Sequence, residues 1–131
     1  MITKKTIARA GSAMALALLV AAPAMAHHSG ALYDEKKLVT FSAVVKAFEW
    51  ANPHIRIFVV GDPGSAYAGQ TLMVESTSTA HLMRDGWTRN SLKPGDHIEF
   101  TVVPSKSGSL IANLRTLKNL QTGQTLRRPT L

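Results

Sequence analysis

Residues 38–50 read LVTFSAVVKAFEW. Val39, Phe41, Ala43 and Val45 fall on one face with Thr40 and Ser42 opposite, the period of two that marks a half-buried strand. The phase then slips, because Phe48 and Trp50 are apolar at even positions. One inserted residue, a β-bulge at Lys46 or Ala47, returns both sets to one core and bends the strand. A strongly bent first strand is what a small closed barrel requires.

Outward from this stretch the pattern stays mostly β. Asn52-Pro53-His54 is expected to turn the chain, since proline fixes φ and asparagine favours turn initiation. A second strand is expected in HIRIFVV (54–60), a loop in GDPGS (61–65) and a third strand in QTLMVES (70–76). The next segment predicts a helix. Residues 76–79 offer N-caps, AHLMRD (80–85) supplies the body, and Gly86 stands where a left-handed C-terminal cap belongs. KPGD (93–96) suits a type II turn. HIEFTVVP and LIANLRTL read as strands four and five, joined through SKSGS. NLQTGQTL reads as a closing hairpin, and residues 127–131 as a loose tail. The expected architecture is mainly β: a five-stranded OB-fold-like barrel with one helix between strands three and four, spanning residues 38–126.

The chain has 131 residues. Its first 26 resemble an export signal: Lys4, Lys5 and Arg9 precede ten apolar residues, Ala13 to Ala22, and Ala24-Met25-Ala26 is a small-x-small cleavage pattern. Ten apolar residues are too few to span a hydrocarbon core, which takes about 20. The segment is therefore expected to be removed, leaving a periplasmic or secreted protein without a membrane anchor. Residues 27–37 then form an N-terminal segment ahead of the barrel. Cleavage after Ala24 is the alternative.

Fifteen basic residues face eight acidic ones, and three of the basic residues lie in the first 26. The remaining excess is mild and dispersed, which argues against a nucleic-acid partner. The absence of cysteine excludes disulfides, thiolate metal sites and cysteine nucleophiles. No Gly-rich phosphate loop, H-E-x-x-H or G-x-S-x-G occurs, and the carboxylates are scattered singly, so no catalytic residue is expected.

The histidines carry the sharper expectation. If His27 is the first residue, its α-amine and its imidazole Nδ1 can chelate one metal ion, and a second imidazole completes a planar three-nitrogen set suited to Cu(II). His54, at a structured turn, is the preferred third donor and His28 the auxiliary one. Trp50, Asn52 and Pro53 would shape the site, although core packing is the default role for Trp50. If the chain instead begins at Met25, His27 in third place could bind Cu(II) with the amine and two backbone amides, without help from the fold. The alternative to a copper site is a metal-free module that receives a protein, a peptide or a glycan. Met73 and Met83 are expected to fill the core, and His81 fits either a solvated or a half-buried face. His97 is expected to be exposed, and Arg84, Arg89 and Lys93 to form a solvated surface.

The stretches AHHS (26–29), EWANPH (49–54) and GWTRNSLKPGD (86–96), with the final glycine-containing hairpin, resemble a bacterial family of short exported proteins catalogued as domain of unknown function 6152. The resemblance implies export and a single small domain, and it singles out His27, His28, Trp50 and His54. Gly30 departs from the aromatic residue that often follows His-His-Ser in that family. A looser architectural likeness runs to periplasmic OB-fold copper and silver chaperones, through Trp50, His54 and Met73. Their Trp-x-x-Met-x-Met pattern is missing.

Overall fold

The computed structural model describes residues 29–130. The elements run α1 (Ser29–Leu32), β1 (Val39–Glu49), β2 (Arg56–Gly61), β3 (Thr71–Glu75), α2 (Thr79–Arg84), β4 (His97–Pro104), β5 (Ile111–Asn119) and β6 (Thr125–Arg127). Neighbouring strands are antiparallel in the order β3-β2-β1-β4-β5-β6. A short parallel seam closes the ring, pairing Met73, Val74 and Glu75 of β3 with Ile111, Ala112 and Asn113 of β5. The result is a five-stranded OB-fold-like barrel with α2 between its third and fourth strands, and β6 lies outside the ring as a flap on β5.

The bulge falls where the phase slip puts it. Val45 faces Val59 and Ala47 faces Phe58, so Lys46 is the extra residue, and it is exposed. Before it, Phe41, Ala43 and Val45 point into the core; beyond it, Phe48 and Trp50 pack against the same core from even positions. Their rings meet edge-on with centroids 5.8 Å apart. Trp50 thus takes the packing role.

Alternation fills the interior. Ile57 and Val59 of β2, Leu72 and Val74 of β3, Ile98, Phe100 and Val102 of β4, and Ala112, Leu114 and Leu117 of β5 are all buried. Leu82 of α2 and Trp87 just after it join them, and Trp87 Nε1 donates to the Arg127 carbonyl at 3.0 Å. That bond ties the helix region to β6. Gly86 and Gly95 both have positive φ, as the expected helix cap and turn require.

Several expectations change. A four-residue helix, α1, precedes the barrel, too short to show a sequence period. Met83 is exposed rather than core filler, since α2 turns Leu82 inward. Arg128, expected in the loose tail, is tied back: its amide donates to the Arg115 carbonyl at 2.9 Å. The N-terminus of α2 is capped from a distance. Ser78 makes no side-chain cap bond, and Asn52 Oδ1 instead accepts both the amide and the hydroxyl of Thr79 at 3.0 Å. That double bond fixes the turn before β2 against the helix.

Candidate functional site

The turn that follows Trp50 presents His54. Its neighbour Ile55 is fully buried, exchanging backbone hydrogen bonds with Ser76 and Thr77, so the backbone under His54 is anchored while its side chain stays 43% exposed. Asn52, two residues earlier, is held by Thr79. A histidine here is positioned by structure on both sides.

Glu75 at the end of β3 faces it, with His54 Nδ1 4.0 Å from Glu75 Oε2. The other oxygen of that carboxylate accepts the Tyr33 hydroxyl at 2.5 Å. Burial, and then the bond to Glu75, push the Tyr33 phenol well above its ordinary pKa. Tyr33 therefore stays protonated as a donor at neutral pH and holds the carboxylate in place. Arg56, next to the site on β2, pairs with Glu49 at 2.7 Å.

Glu75 divides two shallow cavities. One of about 160 Å³ is lined by Asn52, Pro53, His54, Arg56 and Glu75. The other, about 190 Å³, is more apolar and lies between Leu32, Tyr33, Met73, Ile111 and the serines of the β4–β5 loop. Asn52, Pro53 and His54 are thus brought together. Trp50 instead packs on Phe48 and does not line this cavity. His27 and His28 lie outside the described residues. Among those described, no group of three His, Asp or Glu side chains converges as a metal site. Of such side chains, this cavity brings together His54 and Glu75.

Sequence reasoning missed Tyr33 and Glu75. Tyr33 lies in a segment without periodicity, and Glu75 looks like one more polar position on an outward strand face. It also missed the partners of two other histidines. His97, expected to be exposed, keeps a side chain 41% exposed but pairs through Nε2 with Asp62 of the β2–β3 loop. That bond, followed by one from Ser42, holds the Asp62 carboxyl below the usual range. His81 has Nδ1 within 3.1 Å of Thr77 Oγ1 and 3.2 Å of Ser78 Oγ.

A family model, Family of unknown function (DUF6152), matches residues 15–113. The chain belongs to DUF6152. The match takes in Tyr33, Trp50, His54 and Glu75, and it ends at Asn113, so most of β5 and all of β6 lie beyond the matched span. No curated protein matches the chain. Membership in DUF6152 carries no activity with it, and among the described residues no helix is long and apolar enough to cross a membrane.

Proposed function

We propose that this DUF6152 protein is an exported, non-catalytic copper-binding domain, with His27 (amine and imidazole) and His54 as nitrogen donors and His28 as an auxiliary one. The observation that carries the reading is the convergence on Glu75. His54 stands exposed on one side of that carboxylate, and Tyr33, six residues after His27, is bonded to the other. Six residues of chain reach at most about 20 Å. That reach is long enough for a donor at His27 to approach His54.

The donor chemistry fits a divalent copper ion. Imidazole and amine nitrogens in a planar set favour Cu(II) over the other first-row divalent ions. Glu75, held by Tyr33, adds negative charge beside His54 and can accept an imidazole N–H, as the partners of ligating histidines usually do. Cu(II) titration of the protein beginning at His27 tests the reading, with His54→Ala as the discriminating variant. Affinity should also fall steeply below about pH 6, where protons compete for the imidazoles and the amine.

A second reading rests on the more apolar cavity on the far side of Glu75. Leu32 and Ile111 at its rim are exposed, which suits a metal-free module for a peptide or glycan. Under that reading His54→Ala leaves partner binding unchanged.

A further inference from the structure

β5 carries a bulge of its own. Thr101 faces Thr116 and Val102 faces Leu114, so Arg115 is the extra residue, a position that re-aims a side chain. Its carbonyl accepts the amide of Arg128 from the chain just after β6. The two arginines are thereby held backbone to backbone. Their guanidiniums then converge on one acceptor: Arg115 Nη1 and Arg128 Nη1 both donate to Oδ1 of the buried Asn113.

That acceptor is neutral, so it draws two cations together without compensating either. Glu35 pairs with Arg115 Nη2, and one oxygen of Glu75 accepts the Tyr33 hydroxyl. Arg128 Nε is buried and has no hydrogen-bond partner among the described residues. Burial, and then the charge of Arg115, lower the pKa of Arg128, while Glu35, Glu75 and Tyr33 act in the opposite direction. A cavity of about 300 Å³ opens at this point, lined by Arg115, Arg128, Pro129 and Thr130.

We propose that this cavity binds a small oxyanion, a carboxylate or phosphate group, between the guanidiniums of Arg115 and Arg128. A guanidinium offers its donors in a fixed fork that matches either group, and charge-assisted bonds of this kind are about twice as strong as neutral ones. The anion accepts from the guanidinium groups that line the cavity and offsets the repulsion between the arginines. The volume is at the lower end for ligand pockets, with room for the anionic group and a small organic body against Pro129. None of the residues that line this cavity is a proposed copper donor, and the proposal does not depend on the copper reading.

Arginine side-chain NMR tests it on the full chain, with inorganic phosphate and acetate titrated separately. The Arg128 Nε–H resonance should move and saturate with at least one of them, with a Kd below about 1 mM. The tighter titrant identifies the group as phosphate or carboxylate. Arg128→Lys keeps the charge but loses the Nε–H and the fork, so affinity should drop at least tenfold, while exposed Arg127→Lys changes nothing. Where the Arg128 variant loses its dispersed amide spectrum, Arg115→Lys takes its place. Non-saturating shifts with both anions overturn the proposal, as does a folded Arg128→Lys protein that binds as tightly as the parent.

Discussion

Tyr33 and Glu75, 42 residues apart in the chain, meet in a 2.5 Å hydrogen bond that fastens the segment before the barrel to the last residue of β3. Glu75 also sits on the parallel seam that closes the barrel, opposite Asn113. One carboxylate therefore links barrel closure, the N-terminal segment and the surroundings of His54.

Removing that donor should loosen the link. Tyr33→Phe leaves the ring but not the hydroxyl, and a hydrogen bond to a charged acceptor contributes about 1.5–3 kcal/mol. Chemical denaturation at neutral pH should show a loss of that order, with amide exchange accelerated in residues 29–37. Unchanged stability and exchange would mean that the bond does not anchor the segment.

The same tyrosine makes stability sensitive to alkali. Its folded pKa is raised, so its contribution is complete below the unfolded value of about 10 and is lost as pH rises above it, where the unfolded chain releases the proton first. Urea unfolding between pH 9 and 11 should show stability falling more steeply in the parent than in Tyr33→Phe. Parallel curves would contradict this.

Asp62 acts at the other end of the scale. Its folded pKa is lowered by His97 and then Ser42, so its contribution is present above the unfolded value of about 3.9 and is lost as pH falls through the folded one. Carboxyl carbon NMR should place its midpoint below that of an ordinary aspartate, and His97→Asn should move it back up. A midpoint indifferent to His97 would remove the basis for the pairing.

Gly61 tests the packing of the β2–β3 loop. A Cβ at this position would lie 2.1 Å from the Tyr67 carbonyl oxygen, and that oxygen belongs to the backbone, which cannot swing aside. Gly61→Ala should therefore destabilise by more than about 1 kcal/mol. By contrast, Leu114→Ala in the barrel core should cost about 2–5 kcal/mol through cavity formation. Thermal unfolding of both variants checks the pair, and a neutral Gly61→Ala would require the loop to be looser than the contact implies.

Much of the barrel is legible in the sequence because it rests on local periodicity. The slip between Val45 and Phe48 announces the bulge at Lys46, and the Pro94-Gly95 turn and Gly86 cap depend on residues a few positions apart. The closing seam is not legible: it joins only three residues of β3 to three of β5 and leaves no period of its own. The candidate site suffers more. His54 stands out as a residue type at a turn, whereas Tyr33–Glu75, Asp62–His97 and Arg115–Arg128 exist only after distant strands are brought side by side. The bulge at Arg115 does leave a slip, with Ala112 and Leu114 buried at even positions and Leu117 at an odd one, but a single apolar residue beyond it makes a weaker signal than Phe48 and Trp50 do in β1.

The most direct test is a Cu(II) titration of the chain beginning at His27, with its N-terminus confirmed by intact mass, beside the His54→Ala variant and a chain carrying one extra N-terminal residue. The copper reading predicts that both altered proteins bind at least tenfold more weakly, about 1.4 kcal/mol. Equal constants for all three would contradict it, leaving the histidines without a shared metal and directing attention to the cavity beside Met73.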